Sequence, residues 1–160
     1  MVIKRLKRKH METKYSSEIP EKVTRKGTRR TLNYNVRELS DEEIKELWER
    51  EPQEGTPYDY FVKEHKYAYN SVTMGSARWS YSDIVEAIIR EKYTSDQMEA
   101  ITNNMNVVVA EFFNVLVTDG IMDAIKYLVG SVNNDNTDNF KAMQEWRNLA
   151  KREARSVIKQ

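Results

Sequence analysis

Cysteine is missing from all 160 residues, which removes a disulfide framework, a thiolate metal site and a cysteine nucleophile, and fits a reducing compartment. Histidine is almost as scarce. His10 and His65 are the only two; they are far apart and neither belongs to HExxH or another ligand spacing, so no metal is expected. Three prolines and five glycines leave no room for a Pro- or Gly-rich linker, and neither an internal repeat nor a sustained heptad run is present. No apolar run reaches the roughly 20 residues that cross a bilayer. The densest stretch, residues 107–117, is interrupted by Glu111 and Asn114, so no membrane partner is expected. The first residues have the cations of a secretory signal, but residues 10–20 are polar where an apolar stretch must follow. Glu12, Glu18 and Glu21 argue equally against an organellar presequence.

Catalytic signatures are also wanting. There is no GxSxG elbow, no P-loop and no GxGxxG turn. The carboxylates Asp83 with Glu86 and Asp96 with Glu99 read as first-turn acids facing a helix dipole, and Glu111 stands alone. A hydrolytic pair would have to converge in one pocket. Asn133, Asp135 and Thr137 alternate as in a calcium loop, but Asp138 occupies the glycine position and Gln144 the closing glutamate. The expectation is a protein that is not an enzyme and holds no cofactor.

What the chain does have is a division of charge. Residues 1–33 carry eleven Lys or Arg against three Asp or Glu, a net of +8 in a chain whose total is +1. The cations lie in two clusters, Lys4, Arg5, Lys7, Arg8 and Lys9, then Arg25, Lys26, Arg29 and Arg30, on either side of Tyr15. With almost no helical periodicity between them, they read as an extended basic arm. Residues 34–72 have a net of −5, residues 73–128 of −4 and residues 129–160 of +2. A basic arm therefore precedes an acidic middle on which a neighbouring copy's arm could lie.

Past the arm, helical signals dominate. Ser40 and Glu43 have the spacing of a capping box, with Leu39 and Ile44 as its staple and Pro52 as its end. Tyr58, Phe61, Val62 and His65 have helical spacing. Residues 67–81, with Tyr67, Tyr69 and Trp79, read as an extended aromatic clamp on a neighbouring subunit. Ser80 with Asp83, and Thr94 with Gln97, open two further helices, the second running to Val117 with Met98, Ile101, Met105, Val108, Val109, Phe112, Phe113 and Leu116 toward its neighbours. Asp119 and Gly120 interrupt it; a shorter helix follows up to Gly130, and Thr137 or Asp138 is expected to cap the last one. The expected fold is all-α: a small helical bundle over residues 79–160, a helix-containing linker or clamp over 34–78 with one or two helices, and a basic extended arm over 1–33.

Part of the bundle resembles a known group. Tyr81, Ser82, Ile84, Val85, Ala87, Ile88, Ile89, Arg90, Lys92 and Tyr93, then Asp96, Ala100, Ile101 and Asn104, then Phe140, Met143, Trp146, Arg147, Ala150 and Lys151, are similar to a pattern in small helical proteins of tailed bacteriophages, including crAss-like phages of gut bacteria. That resemblance covers about half the chain and implies a virion component, a capsid accessory or head-to-tail connector element, assembled in the host cytoplasm. It brings no catalytic residue. The expected function is structural, with other virion or shell proteins and copies of the chain itself as partners. The contact residues would be the nine arm cations named above with Tyr67, Tyr69 and Trp79. The alternative is a nonspecific nucleic-acid-binding accessory protein whose arm lies on phosphates. Sequence-specific reading is not expected, because the helix after Ser80 and the turn at Thr94 are acidic where a groove needs cations.

Overall fold

A computed structural model describes residues 11–50, 56–132 and 134–158. The chain order is β1 (Lys14–Ser16), β2 (Val23–Lys26), β3 (Arg29–Glu38), α1 (Asp41–Arg50), α2 (Tyr58–Glu64), β4 (Tyr67–Gly75), one 3₁₀ turn (Ser76–Arg78), α3 (Tyr81–Lys92), α4 (Ser95–Thr118), α5 (Ile121–Val132) and α6 (Asp135–Ile158). The four strands form one antiparallel sheet in the order β1-β4-β3-β2. The all-α expectation is therefore wrong: the protein is mixed α and β. The free arm is wrong as well over the residues described, because residues 14–16 form β1 and residues 23–33 belong to the β2–β3 hairpin. The first cationic cluster, Lys4 to Lys9, lies outside the described residues.

Two local signals explain the sheet. Gly27 and Thr28 form a two-residue hairpin loop between the paired residues Lys26 and Arg29, and Gly27 has φ +59°. A first loop residue at positive φ suits glycine and matches the twist of the strands it joins. In β3, Leu32 and Tyr34 are fully buried on one side, with Asn33 between them covered on the other, where its amide donates to the Glu21 carbonyl at 2.7 Å, and in β4 Ala68, Asn70 and Val72 are buried with half-exposed residues between them. That is the two-residue period of a sheet with one covered face. Between Tyr34 and Arg37 the register shifts by a bulge, with Asn35 at φ 54°.

The covered face packs against α3 and α6. Leu32, Tyr34 and Val72 meet Ile84, Ile88 and Ile89 from α3 and Trp146, Ala150, Ala154 and Val157 from α6. Ala150 and Ala154, one helical turn apart and fully buried, let α6 approach closely. Trp146 buries its ring there and donates its Nε1–H to the Ile88 carbonyl at 3.1 Å, and its ring meets Tyr34 edge-on at 6.2 Å. Burial pushes the Tyr34 phenol well above its usual range, with the Glu91 and Glu153 carboxylates adding to the effect. Lys22, just before β2, forms an ion pair with Glu153 of α6. A second cluster, Leu39, Ile44, Phe61 and Ala68, closes the other end of the sheet under α1 and α2.

The helix starts follow the sequence closely. Ser40 and Glu43 exchange hydrogen bonds at 3.0 and 3.3 Å, and the Ser40 N–H and Arg37 hold the Glu43 carboxyl below its usual range. Thr94 and Gln97 form the second reciprocal box, and Ser80 accepts from the Asp83 N–H. Two ends differ from expectation. The fifth helix continues through Gly130, and the sixth starts at Asp135, where the Asn134 side chain accepts from the Asn136 N–H at 2.8 Å. The Thr137 hydroxyl instead donates to the Ser131 backbone carbonyl at 2.7 Å, joining α6 to α5. Pro52 lies outside the described residues.

Candidate functional site

The second cationic cluster sits at one corner of the sheet. Register pairs Arg25 with Arg30 and Lys26 with Arg29 across the β2–β3 hairpin. Because directly paired residues share a face, Arg25 and Arg30 stand on the helix side and Lys26 and Arg29 on the other. Like charges opposite one another disfavour the hairpin. No carboxylate forms an ion pair with any of the four among the described residues. The Arg30 guanidinium lies over the Trp79 ring at 5.4 Å from its centroid, and its buried Nε has no hydrogen-bond partner. Arg25, Lys26 and Arg29 are exposed.

The structure thus joins Trp79 to the cations but keeps the two tyrosines apart from them. Tyr67 and Tyr69 lie near the opposite end of β4: Tyr69 pairs with Lys14, whereas Arg29 pairs with Gly75. Six residues of strand, about 20 Å, separate Tyr69 from that rung. Tyr67 carries the Lys66 ammonium 5.5 Å from its ring centroid. Both tyrosines are strand residues in the sheet, so the reading of residues 67–81 as an extended clamp on a neighbouring subunit is corrected with the fold over residues 67–75.

A larger surface lies on α4 and α5. Helix α4 buries Gln97 near its start and Val108 at its middle, and no residue after Val108 is buried. Val107, Val109, Phe113 and Val117 from α4 are exposed, as are Ile121, Met122, Ile125, Leu128 and Val129 from α5. Val117 is 83% exposed. The two helices fold back on each other at Gly120, which has φ +89°, and Ala124 supplies the fully buried contact. Of the α4 residues expected to face neighbours, Val108 is buried and Met98, Ile101, Met105, Phe112 and Leu116 are partly buried, but Val109 and Phe113 face outward. A helix apolar on all sides needs cover on all sides, and the sequence carried that signal: Val107, Val108 and Val109 in succession cannot occupy one face.

No family model, curated protein or solved structure matches this chain. The surfaces are therefore read from their own chemistry. An open cleft of about 360 Å³ between α3, α4 and α6 is lined by Val85, Ile89, Met98, Arg147 and Lys151 among others, and a hollow of about 150 Å³ beside it by Asp83, Glu86 and Arg90. In the second, Ser80 already donates to Asp83 at 2.7 Å and Arg90 pairs with Glu86 at 2.5 Å. Among the described residues no group of three or more His, Asp or Glu could hold a metal ion. Helix α4 is long and apolar enough to cross a membrane, although Asn103, Asn104, Asn106, Glu111 and Asn114 interrupt it.

Proposed function

We propose that this chain is a non-enzymatic assembly protein that docks through the α4–α5 hairpin onto the same hairpin of a second copy. The observation that carries this reading is the group of nine large apolar side chains between 41% and 83% exposed on these two helices. Together they equal about five fully exposed side chains, and burying them would contribute about 8–15 kcal/mol. Association costs about 4–15 kcal/mol, so the patch is large enough to sustain a complex. Its apolar area, on the order of 500 Å², matches the nonpolar part of a standard interface of about 800 Å² per partner. An isologous pairing of identical apolar faces requires no complementary charge.

A bilayer is the less suitable occupant. Helix α5 has 12 residues, about 18 Å of helix, against a hydrocarbon core of about 30 Å. The hairpin therefore cannot span as a pair, and α4 would take Glu111 and four asparagines with it. The resemblance of residues 79–160 to tailed-phage proteins supplies the setting for such an assembly, a virion in which other shell proteins surround the dimer.

Sedimentation velocity of the full chain tests this, beside the variant Val117→Asn, Met122→Gln, Val129→Asn, which changes no charge. The wild type should sediment as a dimer at micromolar concentration and the variant as a monomer with the same circular dichroism spectrum. A monomeric wild type, or a variant that still dimerises, would overturn the reading. So would a wild type that is monomeric in buffer but floats with neutral lipid vesicles, an outcome that assigns the hairpin to a bilayer.

A further inference from the structure

We infer that the β2–β3 corner is a phosphate-contacting site that takes double-stranded nucleic acid without reading its sequence. This goes beyond self-assembly and uses different elements. Four cations stand on two adjacent rungs of the hairpin, Arg25 opposite Arg30 and Lys26 opposite Arg29. Such pairs repel, and an anion placed between them removes the repulsion. Among the described residues no carboxylate pairs with these charges, and the acids lining the hollow beside Arg78 are engaged, Asp83 with Ser80 and Glu86 with Arg90.

The corner is also held in place. The Thr28 carbonyl accepts from the Ser76 N–H at 2.8 Å, tying the hairpin turn to the end of β4. Thr31 and Thr73 hydroxyls are hydrogen-bonded at 2.8 Å across β3 and β4. Arg30 rests on Trp79 with its Nε unpaired, so part of the conformational cost of presenting a guanidinium is already met in the free chain.

The distribution over two faces selects the partner. Arg25 and Arg30 point to one side of the edge of the sheet and Lys26 and Arg29 to the other. A flat acidic protein surface or an anionic bilayer can reach one side only. Two rows of phosphates bordering a groove can reach both, and β2 is the outer strand of the sheet, so this edge is open to them. The contact assigned to these cations is with the phosphate backbone, which fixes a protein on a duplex without carrying sequence information.

Fluorescence anisotropy of a labelled random-sequence DNA duplex, titrated with the full chain at several salt concentrations, tests the site. The comparison is between wild type, the variant Arg25→Gln, Lys26→Gln, Arg29→Gln, Arg30→Gln, and a control with the same loss of charge elsewhere, Lys45→Gln, Lys63→Gln, Lys141→Gln, Lys151→Gln. Each phosphate contact contributes about 0.9 to the slope of log K against log salt. The corner variant should therefore lose about 3–4 from that slope and at least about tenfold in affinity at low salt, and the control should retain its slope. Any contribution from residues 1–10 is common to all three chains and cancels. Equal slopes in the corner and control variants would overturn the inference. Binding of polyglutamate or anionic vesicles as tight as that of duplex DNA, and lost in the same variant, would overturn it in favour of an acidic protein or a lipid surface. Unaltered circular dichroism of the corner variant shows that its loss is not one of folding; if its spectrum changes, the pair Lys26→Gln, Arg29→Gln on the exposed side should still lose about 2 from the slope.

Discussion

Leu32→Ala separates a folded sheet from a mobile arm at residues 23–33. Leu32 is fully buried, paired with Val23 on one side and Val72 on the other, and belongs to the cluster that α3 and α6 cover. Truncating a leucine in such a position costs about 2–5 kcal/mol, the transfer of the lost methylenes plus the cavity they leave. Packed from strands and helices alike, the site has little freedom to collapse, which places the cost at about 3–4 kcal/mol. For a chain of this size about 1 kcal/mol moves the melting temperature by about 2–4 °C, so the variant should melt about 6–16 °C lower. Urea unfolding followed by circular dichroism gives the same quantity independently, and Thr24→Ala, an exposed site on the neighbouring strand, should stay within about 0.5 kcal/mol of wild type. A loss below about 1 kcal/mol for Leu32→Ala, with fast amide exchange through residues 23–34, would refute the sheet and restore the arm.

Ser40→Ala removes the acceptor for the Glu43 N–H at the start of α1 and should cost about 1 kcal/mol in urea unfolding. Lys22→Ala leaves the buried Glu153 carboxylate, among the described residues, with Arg152 at 3.9 Å as its remaining ion pair; a loss of about 1–2 kcal/mol is expected, and a double-mutant cycle with Glu153→Gln should show most of it to be coupling. Tyr34 gives a dependence on alkaline pH. Its folded pKa is raised, chiefly by burial, so the unfolded chain loses the phenolic proton first, near pH 10. The stability it contributes is complete below that pH and declines above it by at most about 1.4 kcal/mol per pH unit. Tyr34→Phe should unfold with a shallower decline between about pH 10 and 11.5, and equal slopes in the two chains would contradict the burial of this hydroxyl.

The helices were legible because their ends are written in local chemistry. Ser40 with Glu43, Ser80 with Asp83 and Thr94 with Gln97 each satisfy N–H groups within three residues, so a short window of sequence contains the whole interaction. The sheet was not, because its signals compete with charge. Residues 23–34 place Val23, Leu32 and Tyr34 on one face at the two-residue period, but Arg25 and Arg30 occupy the same face where apolar residues would have made the alternation plain. Residues 67–75 carry the same pattern with Ala68, Asn70 and Val72 inward, and buried Asn70, whose amide donates to the Glu12 carbonyl at 3.2 Å, hides it again. The candidate surfaces were half legible: the cations of the second cluster and Trp79 were singled out, and only strand register could bring Arg30 to Trp79. On α4 and α5, helical spacing shows that an apolar face will be covered but not by which chain, so the bundle interior it predicts can equally be an outward surface.

The two proposed surfaces make a joint prediction, since a dimer carries two basic corners. If the α4–α5 hairpins pair, one complex presents eight corner cations to a duplex instead of four, and the second contact is made at the raised effective concentration of a tethered site. The hairpin variant Val117→Asn, Met122→Gln, Val129→Asn changes no charge and no residue of β2 or β3, so its single corner should bind as before. On a duplex long enough for both corners its salt slope should fall by about 3–4 and its affinity by about tenfold or more, whereas on a duplex too short to hold two it should match the wild type. The length dependence is the decisive feature. A hairpin variant weakened equally on both duplexes would mean that α4 and α5 themselves contact the nucleic acid, and one weakened on neither would mean that the corners of a dimer point too far apart to share a duplex.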